Sequence, residues 1–78
     1  LILTKNELKI LEYVFEHAEV IVSRVDLMNH LWDDHQFIDD NTLSVNMNRL
    51  RKKLEDIGLH DFIHTKKGLG YLLCLKTI

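Results

Sequence analysis

Residues 39–58, DDNTLSVNMNRLRKKLEDIG, constrain the fold more than any other stretch of the chain. Leu43, Met47, Leu50, Leu54 and Ile57 recur at steps of four, three, four and three. That spacing draws a single apolar stripe along one long helix. One of Asp39, Asp40 or Asn41 is expected as its N-cap, where negative charge suits the positive end of the helix dipole. Gly58 is the natural left-handed terminator, with Leu59 folding back on the last turn. Asn46, Asn48, Arg49, Lys52 and Lys53 fall outside the stripe, and no acid follows until Glu55. Arginine and asparagine are the side chains that read guanine and adenine edges bidentately in a DNA major groove. A solvated helix face would carry mixed charge instead.

The rest of the chain divides around this helix. Leu1-Ile2-Leu3 is a short apolar run expected as a strand. Thr4 with Glu7 three residues later reads as a capping box, opening a helix to about His17 that buries Leu8, Ile10, Leu11, Val14 and Phe15. Val20-Ile21-Val22 is a short extended piece. Ser23 caps a second helix to about Trp32, with Asp26 as box partner and Leu27, Met28 and Leu31 buried. Trp32 itself is expected in the core, the alternative being an indole N–H that reaches a phosphate from the second helix. Residues 33–40, DDHQFIDD, form an acidic loop longer than most helix–helix connections, and such loops tend to carry function. After the long helix, 62–65 alternates as a strand. Lys66-Lys67-Gly68-Leu69-Gly70 reads as a hairpin turn, and 71–75 as the return strand. The fold class expected is α+β: a winged helix-turn-helix, with three core helices, a short N-terminal strand and a C-terminal β-hairpin wing.

Seventy-eight residues are room for one domain, taken here as 1–78. The chain starts at Leu1 without a methionine, which suggests a piece excised from a longer protein. No run of eighteen apolar residues suggests a membrane span, and no charged leader precedes an apolar stretch. The single Cys74 makes no internal disulfide, fits a reducing cytoplasmic compartment, and is flanked by leucines as a small buried hydrophobe would be. Net charge is −2, but it is unevenly spread. Residues 1–40 hold three Lys/Arg against nine Asp/Glu, and residues 41–78 hold seven against three. One basic face on an acidic body is the arrangement this implies.

Five segments in order carry a resemblance: L-T-x-x-E-x-x-I-L at 3–11, V-S-R-x-x-L at 22–27, L-W at 31–32, T-L-x-V-x-x-x-R-L-R-K-K-L-E at 42–55 and T-x-x-G-x-G-Y at 65–71. Together they resemble the OmpR/PhoB-type winged-helix effector domain of bacterial response regulators. The stretch DDNTLSVNMNRLRKKLE further resembles the BceR/GraR-like subgroup that answers cell-envelope stress and antimicrobial peptides. The resemblance implies double-stranded promoter DNA as partner, bound as a dimer at direct repeats, with the isolated domain a monomer. It also implies a phosphorylated receiver domain, absent from this chain, a sensor kinase acting on it, and RNA polymerase.

The residues it singles out each have an ordinary alternative. Arg49 and Arg51 sit in the helix motif as base or phosphate contacts, or as solvated arginines. Val45 packs a thymine methyl or the edge of the core. Asn46 and Asn48 pair an adenine edge or a phosphate, and Asn48 stands where many relatives have Arg. Thr42 caps the helix, meets phosphate, or both. Lys52 and Lys53 are backbone contacts or solvated. In the wing, Thr65, Lys66, Lys67 and Tyr71 are candidates, a lysine for the minor groove and Tyr71 for a phosphate. Asp33, Asp34, His35, Gln36 and Phe37 have a family role as an RNA polymerase contact, or are a solvated connector.

Other functions find less support. His60 and His64 are four apart but on a turn and a strand, and no Cys/His spacing fits a structural zinc, so no metal or cofactor is expected. No nucleophile–base pair, phosphate loop or cofactor fingerprint suggests an enzyme. The acidic total leaves one alternative: a winged helix that docks a protein partner without sequence-specific DNA binding.

Overall fold

The computed structural model describes residues 2–32 and 38–75. Three helices, α1 (Lys5–Glu16), α2 (Arg24–Leu31) and α3 (Asp40–Asp56), precede a hairpin of β1 (Ile63–Lys66) and β2 (Gly70–Leu73). The acidic segment 33–37 lies outside the described residues.

Each helix begins where the sequence supplies a cap. The Thr4 hydroxyl accepts from the Glu7 amide, and the Glu7 carboxylate accepts from the Thr4 amide, which completes a capping box. Thr4→Ala is expected to cost about 1 kcal/mol in urea unfolding, by orphaning an amide of the first turn. Ser23 accepts from the Asp26 amide at the start of α2. Asp39 accepts from the Thr42 amide at the start of α3, and the Thr42 hydroxyl together with that amide holds its carboxyl below the usual carboxylate range. At the far end of α3, the Gly58 amide donates to the Glu55 carbonyl and the Leu59 amide to that of Leu54, both at 2.9 Å. These two bonds are a Schellman motif, and they need the left-handed φ of 92° that Gly58 adopts.

Leu43, Met47, Leu50 and Leu54 of α3 pack with Ile10 and Val14 of α1 and with Leu27 and Leu31 of α2. Phe62, Ile63, Tyr71 and Leu73 of the hairpin close this core. Burying each such side chain contributes about 1.5–3 kcal/mol. Strands β1 and β2 pair antiparallel, with Thr65 opposite Tyr71 and Lys66 opposite Gly70. The extended piece at 20–22 makes a single bridge to the hairpin, Val22 to Tyr71, bonded in both directions at 2.8 and 2.9 Å.

Several expectations shift. Ile2 and Leu3 are in no strand: none runs beside them among the described residues, Ile2 is exposed, and Leu3 leans on the core. Leu8 and Phe15 are about half exposed, because the buried centre of α1 falls on Glu7, Ile10 and Val14, and these two lie on its flank. Ile57 is exposed because it is the C-cap of α3, past the last turn that packs. Trp32 caps α2 and is 51% exposed, not core. Met28 and Cys74 are half-buried. Among the described residues no helix is long and apolar enough to cross a membrane.

Candidate nucleic-acid interface

On α3 the residues opposite the buried stripe point away from the body. Asn41, Val45, Asn48, Arg49 and Lys52 are all exposed, with Val45 at 36%. Thr42 and Asn46 are half-buried on one flank. The Asn46 side-chain amide donates to the Thr42 carbonyl at 2.8 Å, one turn back. Asp40 and Glu55 bound this stretch, and between Asn41 and Leu54 the helix carries no acid.

Two cations of α3 leave the outward face. Lys53 Nζ donates to Glu7 Oε1 at 2.6 Å, which pairs this half-buried lysine with a fully buried carboxylate of α1. Burial drives the Glu7 carboxyl upward in pKa. The bonds from Lys53 and from the Thr4 backbone and hydroxyl outweigh it, and Glu7 ends below its ordinary 4.5. Arg51 turns toward the wing: Nη2 donates to the Thr65 hydroxyl, and its guanidinium lies 5.2 Å from the Tyr71 ring centroid.

The wing projects Lys67, Gly68 and Leu69 into solvent, with Thr65 exposed and Lys66 half-buried on β1. Tyr71 is 5% exposed, and its hydroxyl accepts from Arg24. The Arg24 guanidinium lies 5.7 Å from the Tyr71 ring centroid, so both arginines are within cation–π range. A groove of about 440 Å³ runs between the start of α2 and the wing, lined by Arg24, Val25, Lys66, Lys67 and Leu69 among others.

The fold therefore gathers Thr42, Val45, Asn46, Asn48, Arg49 and Lys52 on one helix, with Lys66 and Lys67 beside it on the wing. It ties Arg51 to Thr65 and encloses Tyr71. Sequence reasoning missed Arg24 and Glu7 as residues that shape this face. The R of V-S-R and the E of the Thr4 box were visible, but nothing local shows that their partners lie on α3. Among the described residues no three His, Cys, Asp or Glu side chains converge as a metal site would need.

Three helices, a docked hairpin and one basic face define a winged helix-turn-helix domain. The chain belongs to the family described as "Transcriptional regulatory protein, C terminal", which it matches over residues 1–73. It is 53% identical over 70 residues to the sensory transduction protein BceR of Halalkalibacterium halodurans, an alignment covering 90% of this chain and 30% of that protein. It is likewise 53% identical over 70 residues to the response regulator protein GraR of Staphylococcus haemolyticus, covering 90% of this chain and 31% of GraR. It thus spans about a third of the length of these curated relatives. Among solved structures it is similar to the C-terminal domain of the nisin resistance regulator NsrR, a lantibiotic response regulator (50% identity, TM-score 0.83, 95% of this chain and 75% of that one). It is also similar to the DNA-binding domain of the response regulator AdeR in complex with an intercistronic region (31% identity, TM-score 0.85, 95% and 76% covered).

Proposed function

We propose that this domain binds double-stranded promoter DNA sequence-specifically, as the output domain of a two-component response regulator. The observation that carries this is the outward face of α3. It holds amides, cations and one exposed valine with no acid from Asn41 to Leu54, and it stands next to a two-lysine wing tip. An α-helix of this width fits the major groove, where Arg49 and Asn48 present bidentate donors and acceptors to base edges and Val45 meets a thymine methyl. Thr42 and Asn46 lie in the first turns, suited to phosphate, as does Lys52 toward the groove's exit. Lys66 or Lys67 reaches the minor groove or backbone, with Thr65 beside them and Arg51 holding Thr65 in place. Tyr71 serves this face by supporting the arginines. AdeR's domain, similar over nearly the whole chain, has been seen bound to DNA, which supports the same use here.

The longer protein is read the same way: a receiver domain phosphorylated by a sensor kinase, dimeric binding at direct repeats, and RNA polymerase met by residues 33–37, all in the cytoplasm. The similarity to BceR, GraR and the nisin resistance regulator supports a response to cell-envelope stress or antimicrobial peptides.

Selection of bound sites from random DNA is the direct test, and failure to enrich any motif would count against sequence-specific readout. On the selected site, Arg49→Ala is expected to weaken binding about 10-fold or more, and to relax preference at one position. Affinity should fall linearly with salt on logarithmic axes, and removing a lysine that meets phosphate should shallow that slope by about one. If Arg49→Ala leaves DNA affinity unchanged while an acidic protein partner is lost, the domain is instead a protein-docking winged helix.

A further inference from the structure

Arg24, the first residue of α2, bridges three elements. Its Nε donates to Asp40 Oδ1 at 3.0 Å, and Nη2 donates at 2.8 Å both to the Asp40 carbonyl and to the Ser44 hydroxyl. Its Nη1 donates to the Tyr71 hydroxyl on β2. The first two partners lie in the opening turns of α3, where the outward face begins. The third is the buried tyrosine at the base of the wing, whose ring centroid also lies 5.2 Å from the Arg51 guanidinium. Burial alone would lower the pKa of Arg24. The Asp40 bond and its charge, with the Tyr71 contacts, raise it, so the bridge persists as a cation.

A guanidinium is a rigid planar fork, and directing three nitrogens at three partners fixes their separation. The hairpin is otherwise joined to the body through the Val22–Tyr71 bridge, the Glu19–Leu73 backbone bond and its core side chains, and to the middle of α3 by the Arg51–Thr65 bond, while 67–69 project beyond them. Without Arg24 the opening turns of α3 lose their link to Tyr71, and the wing would swing relative to them. A swing at Tyr71 is magnified at Lys67.

We propose that Arg24 is a positioning residue for DNA binding: it fixes the register between the opening turns of α3 and the wing, so that groove and wing contacts engage together. The proposal deepens the DNA-binding function and rests on it, but its first test does not.

In the free domain, Arg24→Met keeps the stem and removes every donor. Amide hydrogen exchange at Val22, Thr65 and Tyr71 is expected to speed up about 10-fold relative to Ile10 and Val14 of α1. Equal change in wing and α1, or none in the wing, overturns the register role whether or not DNA binds. On DNA, the paired change Lys66→Ala/Lys67→Ala should weaken the otherwise unaltered domain about 10-fold, yet cost less than about 2-fold in the Arg24→Met background. Equal cost in both backgrounds overturns the proposal. Arg24→Lys separates positioning from direct phosphate contact. A lysine keeps the charge but cannot span three partners, so it should behave as Arg24→Met does. Full binding by Arg24→Lys would make Arg24 a phosphate contact and overturn the register role. Should the unaltered domain select no DNA site, the DNA-binding function fails, and the exchange result still decides what Arg24 does.

Discussion

Gly70→Ala is expected to destabilise the domain by about 3 kcal/mol or more, measured by urea unfolding. Gly70 opens β2 at a φ of 145°, a conformation side chains rarely adopt. A Cβ there would lie 2.0 Å from the Val22 carbonyl oxygen and 2.9 Å from Ser23 Cα, both backbone atoms with no rotamer to yield. The wing would have to lift from residues 22–23, breaking the Val22–Tyr71 bridge and drawing the Tyr71 hydroxyl from Arg24. Gly68→Ala is the matched control, since nothing lies within 4 Å of the Cβ it would add. It should cost about 1 kcal/mol from its positive φ alone. If Gly70→Ala is as mild as Gly68→Ala, the wing is not clamped against the body as described.

The second large effect lies on the opposite flank of α3. Lys53→Met removes the cation that compensates the fully buried Glu7 carboxylate, whose Oε2 has no hydrogen-bond partner among the described residues. Leaving a buried charge unpaired costs about 3–5 kcal/mol, and the partial exposure of Lys53 argues for the lower end. The loss should depend on pH with a definite sign. The pKa of Glu7 is depressed in the folded protein, so its contribution is in full force above its ordinary 4.5 and fades as pH falls through the lower folded value. In Lys53→Met burial dominates and that pKa rises. The stability gap between the two proteins should then be widest near neutral pH and narrow toward pH 4. A gap of constant size would show that Lys53 acts through packing of its stem alone. Replacing both partners, Glu7→Met with Lys53→Met, should recover most of the loss, because apolar substitution of a whole buried pair is often neutral.

These two sites also show why parts of the fold could be read in advance and others could not. The long helix was legible because its causes are local. The 4-3-4 spacing of Leu43, Met47, Leu50 and Leu54, the Asp39 cap and the Gly58 end act within a few residues of one another. The same holds for the Thr4 box, the Ser23 cap and the glycine-bearing turn. Periodicity fixed the face of α1 only loosely. It gathered Leu8, Ile10, Leu11, Val14 and Phe15 but could not say where the buried centre would fall, and packing chose Ile10 and Val14 over Leu8 and Phe15.

The division of labour among the cations of α3 was beyond sequence for a physical reason. Arg49, Arg51, Lys52 and Lys53 are equivalent along the chain, and what separates them is a partner brought from far away. Glu7 is 46 residues from Lys53 and Thr65 is 14 from Arg51, and the Arg24 of α2 that joins α3 to the wing is 47 from Tyr71. Local spacing by itself determined a capped, one-faced helix with a basic exterior and a hairpin after it. Only the tertiary structure decided which charges that helix gives up to hold the body and the wing, and which it leaves facing outward. An ion pair or hydrogen bond is made by proximity in space, and proximity across such separations is set by the packed core.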